Sequence, residues 1–368
     1  MDYELFSSES VCAGHPDKIC DQISDAVVDE ALKIDPFSRV AVETLVTKNQ
    51  VVMAGEVTCP KRLNYKSIAR KVIKDLGYTK KKLNFTFKSP IEVFIHQQSP
   101  DINLGVKKGG AGDQGMMFGF ATKETKNFMP LPIVLAQELV KKMDEVKKTS
   151  LSYLLPDGKS EVSVTYNHGK PEKVKTVVLA VPHDSKVDKE DVKKDLLEKV
   201  VKPVLEAHNQ KPIAIEQLIL NGTGRWKIGG PASDTGVTGR KIIIDTYGAM
   251  GRVGGGCFSG KDPTKVDRSA AYAARFIAKN IVAAKLADQC EVQLAYVIGY
   301  EDPIAQAIDT FDTARKSQKI INDFAWGLLD LSVEGILEGL KLRKPIYQKT
   351  ASYGHFGWPE FPWEKIVV

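Results

Sequence analysis

Apolar and polar residues alternate over 39–47 (RVAVETLVT) and 50–58 (QVVMAGEVT), the two-residue period of half-buried strands. Ahead of them, Ile19, Ile23, Val27 and Ala31 recur every four residues and predict a helix over 18–33. A short strand at 3–6, a helix at 65–76 and a strand at 91–96 complete a first unit. The same order recurs twice. The second unit has strands at 116–122, 161–167, 175–181 and 213–220, with helices at 133–146 and 189–205. The third has strands at 241–247 and 291–299 and a weaker one after Pro303, with helices at 268–287 and 318–329. Strand–helix–strand–strand–helix–strand, three times over, predicts an α+β protein of three similar domains related by internal duplication. The runs 141–148 and 188–202 mix charges at helical spacing, as solvated helix faces do.

Composition narrows the class. The chain has 368 residues, enough for two or three domains, with 43% hydrophobic and 27% charged residues. Its net charge of +6 is mild, suits an anionic small ligand, and falls short of a nucleic-acid-binding tail. Cys12, Cys20, Cys59, Cys257 and Cys290 are odd in number and form no CxxC pair, so neither a disulfide framework nor a thiolate zinc site is expected. The opening MDYELFSSES does not read as a secretory leader, and no apolar stretch approaches the roughly 20 residues that cross a bilayer. The expected location is the cytoplasm, with no membrane and no nucleic acid partner.

Between Asn221 and Gly260 the chain places 12 of its 29 glycines. Through Lys261 the same stretch carries Arg225, Lys227, Arg240, Lys241, Arg252 and Lys261 against two acids, Asp234 and Asp245. Glycines let backbone amides approach a ligand, and interleaved cations suit phosphates. Tight turns alone would explain the glycines but not the charge. GGCFSGKD (255–262) nearly matches a P-loop but puts Asp262 where Ser or Thr should ligate Mg²⁺. GAGDQG (110–115) satisfies GxGxxG but follows a loop, not a strand.

Two helix starts add carboxylates. In GHPDK, Pro16 and Asp17 suit a first helical turn, and Pro16 pushes His15 into an extended conformation. In DPTKVDRS, Thr264 and Asp267 resemble a capping box. Each could be a helix cap and nothing more. Each could also set a carboxylate and a lysine beside phosphate, which makes sense only with a cation such as Mg²⁺ between them.

The segments GHPDKICDQISDAVVDEAL, GAGDQGMMFG, TGRWKIGGPASDTGVTGRKIIIDTYG, GGGCFSGKDPTKVDRSAAYAARFIAKNIVAAKLAD and YGHFG closely resemble the S-adenosylmethionine synthetase (methionine adenosyltransferase) family, in family order from about residue 6 to 363. The resemblance implies three α+β domains with a pseudo-threefold repeat, each a mixed sheet with helices on one face. Their expected spans are 1–100, 111–225 and 226–368, with the chain free to cross between them. It implies a reaction in which methionine sulfur attacks C5′ of ATP and expels tripolyphosphate, which is then hydrolysed to phosphate and diphosphate. By resemblance the catalytic residues are His15, Lys18, Lys159, Arg240 and Lys261. The ATP contacts add Asp157, Arg225, Trp226, Asp234, Lys241 and Cys257. Methionine falls to Glu56, Gln98, Asp234 and Lys265. Asp17 and Asp267 match Mg²⁺ ligands, with two ions per site, and Glu43 matches a K⁺ ligand. The family's members form homodimers with sites at the interface, often paired into homotetramers.

Departures from the family pattern are a short segment over 100–110, Trp226 in place of a more usual Phe, Cys257 in place of Ala, and Gly222 in place of Pro. An ATP-dependent kinase or ligase would need the P-loop that fails here. An RNA-binding module would need an aromatic platform, which is not evident.

Overall fold

The protein is seen in a computed structural model that describes residues 4–97 and 109–368. Its strands form three sheets, and no sheet is built from one continuous stretch of chain.

The first sheet contains Arg39–Thr47 (β2), Gln50–Thr58 (β3) and Ile91–His96 (β4), with β2 and β3 antiparallel and β4 parallel to β3. Its fourth strand, Gly236–Val237 (β9), arrives from almost 200 residues later and pairs with Leu45 and Val46. Lys159–Asn167 (β6), Lys170–Ala180 (β7) and Leu218–Leu220 (β8) make the second sheet. Its edge is Leu5–Val11 (β1), the opening strand of the chain, in antiparallel register from Leu5↔Thr165 to Val11↔Lys159. Gln289–Tyr296 (β10) and Ala305–Asp309 (β11) make the third, completed by Gly115–Thr122 (β5). Each third of the chain thus gives a strand to the sheet of another, and the exchange closes in a ring.

Three long helices follow the donated strands. Pro16–Ile34 (α1) packs on β2, Leu131–Thr149 (α3) on β1 and β6, and Val266–Ala283 (α7) on β5 and β10. Tyr65–Asp75 (α2) packs beside α1. Lys189–Leu196 (α4) runs through a π-helical turn, Leu197–Val201, into Lys202–Ala207 (α5).

The helix α1 is buried nearly all round, and not only on the apolar stripe its spacing predicts. Its polar residues survive burial because they find partners, most of them distant in sequence. Asp29 accepts the N–H groups of Tyr347 and Gln348, and Ser24 meets the hydroxyls of Thr44 and Thr238 at 2.9 Å each. Asp25 forms a fork with Arg268 of α7 at 2.7 and 2.8 Å. Arg268 spends all five of its N–H donors, on Asp25 twice, the Lys261 carbonyl, Thr350 and Tyr272. Farther along α7, Arg275 and Lys279 both bond to the buried Glu364 near the C-terminus.

Two expected strands need correction. Residues 241–247 contain not a strand but a short helix, Ile242–Asp245 (α6), and the sheet position falls to β9 just before it. Three successive isoleucines fit a buried strand or one helical turn equally well by pattern. Of 213–220 only β8 is strand, because Ile215–Gln217 turns as a 3₁₀ helix whose Gln217 side chain caps the Ala214 N–H. The opening strand begins at Leu5 and runs on to Val11. Gln318–Trp326 (α8) lies where expected, while Val333–Gly339 (α9), capped by Ser332, was not foreseen in the periodicity.

Candidate active site

His15 caps α1 with φ −65° and ψ 142°, the extended geometry that Pro16 enforces. Its Nδ1 accepts the N–H of Asp17 at 3.2 Å, as an N-cap side chain does. Nδ1 is therefore unprotonated, which leaves Nε2 as the ring's N–H. Burial, with Lys241 and Lys159 nearby, pulls the imidazole down to about 3, so the ring is neutral and a hydrogen-bond donor at neutral pH.

Asp17 is the second residue of the helix. Its Oδ1 accepts the Val237 N–H at 2.9 Å and its Oδ2 holds the Lys241 ammonium at 2.5 Å, with Arg240 3.7 Å away. Burial alone would raise this carboxyl, but Lys241 and the Val237 N–H outweigh it and hold it below the ordinary range. Strand β9 reaches this helix start only because residue 236 is glycine. A Cβ there would stand 2.2 Å from the Pro16 carbonyl carbon.

Lys18 requires a correction. Its ammonium is fully enclosed between Asp21 at 2.8 Å and Asp245 at 2.6 Å, and does not face an open cleft. Burial opposes its charge, but the two carboxylates outweigh burial and hold it above the ordinary lysine range. It braces the helix start against α6. A phosphate would have to displace two buried acids to reach it.

Asp157 is also engaged. Its oxygens accept the N–H groups of Gly158 and Gly230 at 2.7 Å each, and burial raises it to about 6. It ties the loop that presents Lys159 to the loop that presents Trp226, so what it offers a ligand is the placement of its neighbours. Lys159, Arg225 and Asp234 are exposed, and the Trp226 indole N–H donates to the Ile228 carbonyl at 2.7 Å.

A second group gathers at the start of α7. Lys261 and Asp267 pair at 2.5 Å. Gly256 permits this, since a Cβ there would sit 2.0 Å from the Asp267 carboxyl carbon. Lys261 also lines a cavity of about 300 Å³ with Glu43, Glu56 and Ser259. Ser259 is buried and its hydroxyl has no hydrogen-bond partner among the described residues. Lys265 bonds to the buried Asp262 at 2.7 Å. Cys257 lies between the two groups, packed on Gly239, and burial pushes its thiol up so that it stays protonated. Gln98 falls outside the described residues, as does most of the 100–110 segment.

The structure thus gathers His15, Asp17, Arg240 and Lys241 in one group, with Lys159 close enough to His15 to bear on its charge. Glu43, Glu56, Lys261 and Asp267 form another. Within the chain Asp17 and Asp267 pair with different lysines, Lys241 and Lys261. Among the described residues no three His, Cys, Asp or Glu side chains converge as a metal cage. Sequence reasoning missed Asp21 and Asp245, which hold Lys18, and Tyr78, whose hydroxyl donates to the Gly14 carbonyl at 2.5 Å. No local motif marks any of these three. The lone hydroxyl of Ser259, inside the near-P-loop, was missed as well.

Comparison with known proteins identifies the family. Family models of the S-adenosylmethionine synthetase N-terminal, central and C-terminal domains match residues 3–100, 108–226 and 228–365. The S-adenosylmethionine synthase of Desulforudis audaxviator is 47% identical over 388 residues, covering 100% of this chain and 97% of that protein. That of Staphylococcus epidermidis RP62A is 47% identical over 384 residues, covering 98% of this chain and 95% of that protein. Matches that span the whole chain, in domain order, leave one conclusion: the chain belongs to the S-adenosylmethionine synthetase family.

Proposed function

We propose that this chain makes S-adenosylmethionine from ATP and methionine at a site composed of both groups, with the two groups supplied by different copies of the chain. The supporting observation is the pair of matched contacts, Asp17–Lys241 and Asp267–Lys261, one in each group. Each joins a carboxylate suited to Mg²⁺ with an ammonium suited to phosphate. A magnesium triphosphate inserted between them gives every member a partner of opposite sign.

The donor set fits the implied ions. Asp17 and Asp267 are hard oxygen ligands, and Mg²⁺ takes one or two protein carboxylates plus phosphate oxygens. Glu43 and the unpartnered Ser259 hydroxyl line one cavity, which suits K⁺. When bound, Mg²⁺ supplies neutralisation of the charge on the leaving triphosphate.

The chain's own residues do the rest. Methionine sulfur is a neutral nucleophile, so no base is required. The demand is on the leaving oxygen. Neutral His15 donates from Nε2 to that oxygen as the C5′–O5′ bond breaks. Arg240, Lys241, Lys159 and Lys261 hold the triphosphate, and a charge pair at about 4 Å contributes on the order of 4 kcal/mol at an effective dielectric near 20. Trp226 and Arg225 face the adenosine, and Glu56 receives the methionine ammonium, with Gln98, Asp234 and Lys265 as further contacts. Hydrolysis of the triphosphate to phosphate and diphosphate follows at the same cations. A homodimer, with pairing into a tetramer, is the expected assembly, in the cytoplasm. Phe94, Met116 and Ile219, exposed on strands of the three sheets, supply apolar surface for it.

Incubation with ATP, methionine, Mg²⁺ and K⁺ should yield S-adenosylmethionine by mass, and methionine-independent ATP consumption would defeat the reading. Mixing two variants, assayed at an Mg²⁺ concentration where each alone is inactive, tests the shared site. Asp17→Asn and Asp267→Asn, unfolded and refolded together, should recover about a quarter of wild-type activity, because half the dimers are mixed and each holds one intact site. No recovery would place both carboxylates in one chain's site.

A further inference from the structure

A second cavity, of about 400 Å³, is walled on one side by Ala13 and Gly14, the residues just before His15. Leu154–Pro156, just before Asp157 and Lys159, also line it, with Pro156 against Gly14. Leu76 and Leu83 complete an apolar bowl. The volume is that of an ordinary small-molecule site. None of the site residues assigned above lines it.

Its charges are uneven in a useful way. Lys147 is saturated, donating to Asp144, Cys12 and the carbonyls of Pro156 and Asp157. Asp144 is likewise taken up by Lys147, Tyr353 and the Ala13 N–H, and Asp75 pairs with Lys71. What remains is two lysines, Lys80 and Lys148, exposed and without a side-chain partner among the described residues. An apolar bowl with two unpaired ammonium groups calls for a ligand with an apolar body and one anionic end. A larger cavity of about 560 Å³ offers only one such ammonium among the described residues, Lys170, since its Lys123 already pairs with Asp288.

We propose that this cavity is a binding site for a small amphipathic carboxylate, its ring or branched chain on Leu76, Leu83 and Pro156 and its carboxylate on Lys80 and Lys148. The site is distinct from the ATP and methionine site and stands whether or not that assignment does.

Phenylacetate is the probe, followed by ligand-observed NMR and calorimetry on the full chain. One phenylacetate should bind per chain, undisplaced by saturating ATP, with neutral phenylacetamide about tenfold weaker or more. Lys80→Ser with Lys148→Ser should weaken phenylacetate by a similar factor. Ser152→Trp, at an exposed position on the rim, should block binding while leaving the melting temperature and the synthetase activity unchanged. Absence of binding up to about 10 mM, equal affinity for the amide, displacement by ATP, or unaltered binding in Ser152→Trp would each overturn the proposal.

Discussion

The fork between Asp25 and Arg268 joins the helix that starts at His15 to the helix that starts beside Asp267, and both side chains are fully buried. Replacing Arg268 with Met keeps much of the volume but strands a carboxylate away from water. Removing one partner of such a pair costs about 3–5 kcal/mol, two to four tenfold steps in the folding equilibrium. The Lys261 carbonyl, the Thr350 hydroxyl and the Tyr272 hydroxyl also lose a donor. Asp25→Leu alone should cost a comparable amount, since it strands the guanidinium and the Gly260 N–H that Asp25 also accepts at 2.8 Å. The double variant removes both charges. It should cost less than the sum of the singles by about 2 kcal/mol or more, the coupling expected of side chains in direct contact. Urea unfolding followed by tryptophan fluorescence reports this, because buried Trp363 stacks on Tyr272 at 3.7 Å and Tyr272 accepts from Arg268. Single variants that lose under about 1 kcal/mol, or a double variant that loses the full sum, would refute the reasoning.

Other outcomes follow from the same structure. His15→Asn should lower kcat by about 10²–10³ with ATP affinity changed little, because the donor acts on charge that exists only in the transition state; equal losses in binding and turnover would contradict that role. Asp17→Asn should raise the Mg²⁺ concentration needed for half-maximal rate, and an unchanged Mg²⁺ dependence removes the ligand assignment. Glu364 is buried, which alone would raise it, but Arg275 and Lys279 hold it below the ordinary glutamate range. A depressed carboxyl stabilises the fold above its unfolded value, and that contribution fades as pH falls through the folded value. The stability gap between wild type and Glu364→Gln should therefore stay level from about pH 8 to about pH 5 and shrink below about pH 4; a gap that persists undiminished to pH 3 counts against it.

Much of the fold was legible because long elements repeat their period many times. The helices α3 and α7 and the strands β2 to β4 lie where the alternation puts them. What escaped was settled by distant contacts. Strand β9 is only two residues long, too short for any period, and is fixed by its seat on Pro16. The Ile242–Ile244 run took a helical turn because β9 had filled the sheet position. The spacing of α1 marks only an apolar stripe, yet Asp21, Asp25 and Asp29 are also internal, Asp21 matched to Lys18, and Asp25 and Asp29 to groups more than 240 residues away. Lys18 looked like a phosphate ligand because its neighbours in sequence are site residues. Its environment is set by Asp245, which the sequence places far off. The motif letters gathered the right region. Which members face an opening, and which brace it, depended on tertiary packing.

The ring of exchanged strands has a consequence for how this protein can be taken apart. Cut the chain at either boundary between its thirds, and each piece carries a sheet missing a strand and a strand missing its sheet. The first third would expose β2 along the edge that β9 covers and leave β1 with nothing to pair with. Such bare edges recruit other chains, so isolated thirds should aggregate and not fold. Closing the ring also requires Leu5 to find Thr165 and Leu45 to find Val237, contacts so distant in sequence that assembly should be slow. The repeat that reads as three modules should therefore behave as a single cooperative unit.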